Sequence, residues 1–549
     1  MASHLLSNHI AKPPTPPLTP KSNSLDKLAL GEEMMKTRPK AHREQSVLRL
    51  RAQLDSLPTP LLKHGLLSRT RREDPELFFS VVQADLVNLA PIVYTPTVGE
   101  ACQKYSHVYS GPEGLYINID DKDSLREILA EYDATLDAAH KPKIIVVTDG
   151  SRILGLGDLG LGGMGISVGK LNLYVAGGGI RPMGCLPIVL DIVADENSMG
   201  TNNESLREDP LYLGLRRPRV ELKEAREFMD EFMGAVSAQW PKTVIQHEDF
   251  YSEAAFDFLD GYQNEYRMFN DDIQGTGSVI LGGFLTAAQR ASEASGRPLT
   301  DHKVVFLGGG SAAVGVAKEM MNFFRMQGSH HLYPAHKEYF IRKDTEGQEF
   351  KTLAEVVDYV QPTALVGLST TFGAFPEEIV RKMADLNAAP IIFPLSNPTS
   401  KCELAFEDAL KWTNGTVLFA SGSPYPPTEY EGKLYEPGQG NNFLVFPGIG
   451  FGSIFCDADR ITDGMITAAA IGLSRSLTED EQQHQLLYPR LTRIRDVSAE
   501  VALAVVRAAQ KDGVDQNVAL RDLDDDQLLA KIKQTQWSPY EDEEVKSNL

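Results

Sequence analysis

The chain has 549 residues, 42% of them hydrophobic, which is enough for at least two sizeable cores, since single domains rarely grow far past a few hundred residues. Its 54 Lys and Arg against 75 Asp and Glu give a formal charge of -21, which repels polyanions and sets nucleic acid aside as a partner. The longest apolar run, 443–455, is broken by Pro447, Gly448, Gly450 and Gly452 and falls short of the roughly 18 residues that a membrane-spanning helix needs.

Residues 1–45 hold the tract AKPPTPPLTPKSNS, which has no apolar periodicity and is expected to be a disordered, Pro-rich leader. No Arg precedes Arg38, unlike an Arg-rich transit peptide, so the cytoplasm is expected, with the mitochondrial matrix as the alternative. Apolar residues at helical spacing predict helices over 46–62 and 75–89. KIIVVTD (143–149) and LNLYVAG (171–177) read as buried strands joined by a glycine-rich loop. Together, 46–265 form an expected substrate domain, helical first and then α/β. After Asn264 strands and helices alternate: VVFLG, a helix through Phe324, ALVGL (364–368), a helix near 377–386, PIIFPLS (390–396) and VLFAS (417–421). That alternation predicts a doubly wound parallel sheet, a Rossmann-type dinucleotide-binding domain over 266–535, followed by an acidic tail at 536–549. Cys102, Cys185, Cys402 and Cys456 form no C-x-x-C pair and are expected as reduced core thiols, as in an intracellular protein.

Val304 to Leu307 run straight into Gly308-Gly309-Gly310-Ser311-Ala312-Ala313 and a helix, the context that a dinucleotide fingerprint requires. Gly308 suits the tight turn, Gly310 lets the backbone approach a pyrophosphate, and the helix N-terminus meets its charge. GLGDLG (155–160) spells the same pattern but is expected to lead to a strand, and is assigned to substrate-site backbone. Most carboxylates are solvated surface groups. Glu248, Asp249 and Asp272 sit among apolar and aromatic neighbours, and three such acids suggest a hard, oxygen-seeking cation, Mg²⁺ or Mn²⁺. Arg152 and Lys170 bracket the glycine-rich loop. They are either two ordinary surface cations or a carboxylate clamp and a general base, the lysine's pKa being lowered toward the working range by a nearby metal and arginine.

YTPTVGEAC (94–102), DGSRILGLGDLGLGGMGISVGKLNLY (149–174), DPLYLGLRRPR (209–219), HEDF (247–250), FNDDIQGT (269–276), PIIFPLSNPTS (390–400) and PGQGNNFLVFPG (437–448) together resemble the malic enzyme family, in family order from about 46 to 510. The resemblance implies oxidation of (S)-malate with NAD or NADP and decarboxylation to pyruvate, with a divalent metal, and oxaloacetate decarboxylation besides. It implies Tyr94 as general acid, Lys170 as general base and Asp271 as support for the lysine. Arg152, Asn397 and Asn441 would hold malate, with Asn442 beside them. Glu248, Asp249 and Asp272 would bind the metal. Gly308, Gly309, Gly310, Ser311 and Ala312, with Arg152 and Asn397, would meet the cofactor.

Three departures from the family pattern stand out. Between Met326 and Lys337 the chain lacks a strand and the acid that meets the adenosine ribose, and Glu338 and Asp344 belong to a different family segment. Residues 193–199 are a polar, acidic insert. The leader lacks the L-G-x-x-G-L-L-P segment that joins subunits in relatives, so a homodimer is expected over a tetramer. The first departure raises a rival reading, an oxaloacetate decarboxylase with impaired cofactor binding. A non-catalytic metabolite binder has no need of both the acid and the base. A plain 2-hydroxy acid dehydrogenase has no need of the metal carboxylates.

Overall fold

The computed structural model describes residues 40–192, 203–216, 219–326, 347–397 and 399–539. The expected insert at 193–199 and the missing strand near 326–337 fall almost entirely outside these residues, as does the leader before Lys40. A helix covers Lys40–Ser56, so positions 40–45 of the expected leader are helical. The described residues from Leu54 onward form one compact unit.

The two long helices expected over 46–62 and 75–89 are four. Prolines account for two of the breaks, because a proline ring lacks the N–H and fits best in a helix's first turn. Pro60 opens the helix Pro60–Glu73 behind the Thr59 cap, and Pro75 opens Pro75–Ala84 behind the Asp74 cap. The last of the four is Leu86–Val93.

Two parallel sheets follow. The first is built from β1 (Leu115–Asn118), β2 (Ile144–Thr148), β3 (Cys185–Asp191), β4 (Val244–His247) and β5 (Met268–Asn270), in the order β1-β3-β2-β4-β5. Its strand residues alternate between two covered faces, as an all-parallel sheet requires. Ile145, Val147, Ile188 and Ile245 pack with Phe228, Phe232 and Phe258 from the helices Leu222–Gln239 and Ser252–Tyr262. Ile144, on the other face, lies against the helix Phe446–Phe455. Met268 is fully buried in the first core, so the first domain's sheet runs past the expected boundary at 265.

The second sheet holds β6 (Val304–Leu307), β7 (Ala364–Gly367), β8 (Ile391–Pro394) and β9 (Leu418–Ser421), then, after the hairpin β10 (Thr428–Tyr430) and β11 (Lys433–Tyr435), β12 (Gly438–Gln439). Every pairing in it is parallel, in the order β12-β9-β8-β7-β6. The fold is α/β, with a helical and α/β first domain followed by a Rossmann-type parallel-sheet domain.

Two expectations change. LNLYVAG is not a strand: Met164–Leu173 is an α-helix that continues into one wide turn, Tyr174–Gly178. Nine of the helix's ten residues are buried, so its apolar run shows neither period, and such runs do not distinguish a buried strand from a buried helix. GLGDLG therefore leads to a helix, not to a strand. The C-terminus is also not tail from position 536. Gln536 and Trp537 are buried, Trp537 N–H donates to Gly179 O at 2.7 Å, and its ring meets Phe79 edge-on at 5.8 Å.

None of the four cysteines is in a disulfide; Cys102, Cys402 and Cys456 are buried and Cys185 is partly exposed. Among the described residues no helix is long and apolar enough to cross a membrane.

Candidate active site

The chemistry collects at the carboxyl ends of β2, β4 and β5, where open parallel sheets bind ligands. His247 of β4 pairs with Val147 of β2 and with Asn270 of β5, so the next residues leave the sheet side by side. Glu248 and Asp249 follow β4, Asp271 and Asp272 follow β5, and Arg152 lies four residues beyond β2. Lys170 reaches the same place from the helix Met164–Leu173.

Lys170 contacts the Asp271 carboxylate and lies 3.0 Å from Glu248 Oε1, with all three side chains buried. Asn442 Nδ2 donates to Asp271 Oδ2 at 2.9 Å and to Thr276 Oγ1 at 3.0 Å. The Lys170 ammonium also lies 4.6 Å from the Phe446 ring centre and 5.6 Å from that of Tyr94. Glu248, Asp249 and Asp272 each offer a carboxylate oxygen, all within 4.8 Å of one another. Asp249 has a left-handed backbone, φ +54, the kind of sparsely populated conformation that collects at functional sites. Its N–H donates to Asp272 Oδ2 at 2.7 Å, while its own Oδ2 accepts from Leu154 N–H at 3.0 Å.

Charge in this pocket is unbalanced. Burial pushes the Glu248 and Asp249 carboxyls well up and Asp272 up, with neighbouring carboxylates adding to the push in each. Burial also raises Tyr94, against the opposing pull of Lys170. Burial alone would lower the Lys170 pKa, but Asp271 and Glu248 outweigh burial and push it well above its ordinary value. Four acids crowd one buried lysine, with Asp272 partly exposed, and Asp271 Oδ1 has no hydrogen-bond partner there. A hard divalent cation fits three clustered carboxylate donors with this excess of negative charge.

The other expected residues sit around this cluster. Arg152 is exposed; its Nη1 is 3.3 Å from Ser252 Oγ, which is 3.4 Å from Ser311 Oγ, a link between the acid cluster and the glycine turn. Gly308 takes φ +132, and a Cβ there would stand 2.3 Å from Leu368 O, so the turn admits only glycine. Gly309 and Gly310 are exposed, and Ser311 and Ala312 open the helix Ser311–Met326. Asn397 Oδ1 accepts from Ser423, and Asn441 Oδ1 accepts from Phe443 N–H at 2.9 Å; neither side chain bonds an acid of the cluster.

Several supporting residues escape a sequence reading. Arg219 clamps Asp158 with two nitrogens and donates to Ile192 O at 2.7 Å, pinning the glycine-rich loop. Nothing in its local sequence marks that role. Gln246 donates to Glu248 and accepts from Tyr174. Its position two before Glu248, on the strand that leads into it, is a signal that strand alternation could have supplied.

The family model for the malic enzyme N-terminal domain matches residues 71–263. The model for the malic enzyme NAD-binding domain matches in two pieces, 273–332 and 326–510. An NADP-dependent malic enzyme of Dictyostelium discoideum is 40% identical, covering 89% of this chain and 90% of the relative. The mitochondrial NAD-dependent malic enzyme 59 kDa isoform of Solanum tuberosum is also 40% identical, covering 87% and 83%. The fold matches the crystal structure of malic enzyme from Pyrococcus horikoshii with a TM-score of 0.52 at 22% identity, over 81% of this chain and 88% of that one. Two family models and these relatives span both domains, and the chain belongs to the malic enzyme family.

Proposed function

We propose that this chain oxidises (S)-malate and decarboxylates the product to pyruvate and carbon dioxide, reducing NAD or NADP, with Mg²⁺ or Mn²⁺ bound, and that it also decarboxylates oxaloacetate. The observation that carries this reading is Lys170 buried against Asp271 and Glu248 beneath Tyr94, beside three clustered carboxylates.

Glu248, Asp249 and Asp272 would hold the cation, and the glycine turn 308–310 with Ser311 and Ala312 would meet the dinucleotide pyrophosphate. A bound cation supplies Lewis acidity at the C2 oxygen and offsets the carboxylate charge that raises Lys170, while the nicotinamide supplies a hydride acceptor. Arg152 clamps the C1 carboxylate of malate, and Asn397 and Asn441 orient the rest, so that C2 is presented for oxidation. Asn442, bonded to Asp271, keeps that carboxylate aimed at Lys170. Neutral Lys170 takes the proton of the 2-hydroxyl as C2 is oxidised. After carbon dioxide leaves, Tyr94, held protonated by burial, delivers a proton to C3, directly or through Lys170. The exclusion of water around Lys170 and Tyr94 strengthens each of these interactions.

Relatives named for NAD and for NADP match at the same 40% identity, so the preference rests on this chain's own assay. Purified protein with Mn²⁺ and (S)-malate is expected to reduce NAD or NADP, read by absorbance, and to lose that activity in Lys170→Ala. A second reading is favoured by the break in the NAD-binding match at 326–332: a metal-dependent oxaloacetate decarboxylase with impaired cofactor binding. Decarboxylation without malate-dependent reduction would select it, and silence in both assays would sink the enzymatic reading. A homodimer in the cytoplasm belongs to the same proposal, to be checked by light scattering and cell fractionation.

A further inference from the structure

Behind the acid cluster, a second tier of buried side chains governs Glu248. Gln246 Nε2 donates to Glu248 Oε2 at 2.7 Å, and the Tyr174 hydroxyl donates to Gln246 Oε1, with both side chains fully buried. The amide has one workable orientation. Turned over, it would set its oxygen against the Glu248 carboxylate, two acceptors facing each other in a site that water does not reach. Gln246 therefore engages Oε2 and leaves Oε1 as the oxygen that faces Lys170 at 3.0 Å.

Tyr174 is itself wedged. Its ring meets Phe446 at 4.8 Å, inclined by 61°, and a Cβ added at Gly450 would stand 2.6 Å from Tyr174 Cε1. Phe446 also lies under the Lys170 ammonium. The helix Phe446–Phe455 thus touches both ends of the chain Tyr174, Gln246, Glu248, Lys170.

From this geometry we infer that Gln246, oriented by Tyr174, is a positioning residue that sets the Glu248 carboxylate for a divalent cation, and that the helix Phe446–Phe455 tunes cation affinity through Tyr174. The inference rests on the proposed cation site at Glu248, Asp249 and Asp272.

The test is Mn²⁺ binding to the full chain without substrate, read from the electron paramagnetic resonance of free Mn²⁺, with melting temperature recorded for each variant. Gln246→Leu is expected to weaken binding by about 10- to 100-fold, the usual effect of removing a partner that orients a metal ligand. Tyr174→Phe removes one oxygen and one hydrogen bond, and should weaken binding in the same direction by about three- to tenfold. Gly450→Ala keeps every member of the chain and should still weaken binding by displacing Tyr174. In turnover, the Mn²⁺ concentration for half-activation should rise while kcat returns at saturating Mn²⁺, a split that a general loss of structure would not produce. If Gln246→Leu does not fold, Tyr174→Phe decides. Folded variants that bind Mn²⁺ within twofold of wild type, while Glu248→Gln loses it, would overturn the positioning role alone. A wild-type chain that takes no Mn²⁺, or a Glu248→Gln variant that binds it as well as wild type, would overturn the cation site and the inference with it.

Discussion

The acid cluster and the glycine turn differ in how far the fold completes them. β2, which leads toward the cluster, is buried along its whole length, and Lys170, Glu248, Asp271 and Gln246 bond one another inside the protein. β6, which leads to the glycine turn, is buried at only one of its four positions, and Gly309 and Gly310 lie exposed. The difference teaches that the acid cluster is closed by the protein's own buried side chains, whereas the glycine turn presents exposed backbone. Reactions that use only the first region should tolerate damage to the second.

The largest test of that contrast is Lys170→Ala, expected to lower malate-dependent reduction by about 10²- to 10⁴-fold, the range for a lost general base, and to lower the melting temperature as well. The thermal expectation follows because the deletion leaves the buried Asp271 and Glu248 carboxylates without their countercharge. Malate-dependent reduction kept within about tenfold of wild type would show that Lys170 is structural and not the general base.

Next comes Glu319, buried on the helix behind the glycine turn and accepting from Thr467 Oγ1. Burial pushes its carboxyl up to about 7. An acid raised in the folded state contributes stability that is present below its unfolded value near 4.5 and is lost as pH rises through 7. Relative to Glu319→Gln, wild type should lose about 3 kcal/mol between pH 4 and pH 8, measured by denaturant unfolding. Parallel curves would mean that the helix opens to water there.

Gly308→Ala sharpens the comparison further. Its Cβ meets Leu368 O, so strain of about 1–3 kcal/mol should fall on the turn, raising the dinucleotide KM while oxaloacetate decarboxylation stays near wild type. Equal loss of both activities would show that the two regions are not separable.

The smallest effect is on His247, fully buried among Phe250, Phe258 and Tyr262 with neither ring nitrogen hydrogen-bonded. His247→Phe should stabilise the chain by about 1 kcal/mol at pH 7, because an unsatisfied buried polar group is removed from an aromatic nest. Burial pushes the imidazole down to about 3, so the wild-type stability present above pH 6.5 drains away as pH falls toward 3, and the variant should be spared that loss. A lower melting temperature for the variant would reveal a partner for the ring.

Much of the site was legible because its chemistry resides in residue types that apolar surroundings make conspicuous. Glu248, Asp249 and Asp272 stood out as acids among aromatic and aliphatic neighbours, and the structure gathers them within 4.8 Å. The turn 308–310 was legible because a buried strand runs into it and a helix leaves it. Lys170 was legible as a residue but not as an environment. The segment after it was misread as a strand because nine of the ten residues of Met164–Leu173 are buried, and its pairing with Asp271 spans 101 residues of sequence.

Composition, periodicity and motif order by themselves determined that this chain has two α/β domains, carries malic enzyme segments in family order and places its acids next to apolar strands. Each of those is a local property, set by a side chain and its near neighbours along the chain. Only the tertiary structure decided that Trp537 closes onto Gly179, that Arg219 pins the loop through Asp158, that Lys170 packs against Asp271 and Glu248, and that Tyr174 reaches Glu248 through Gln246. Those outcomes depend on charges, rings and hydrogen bonds brought together from distant positions, where burial and Coulomb attraction act through space and leave no period in the sequence.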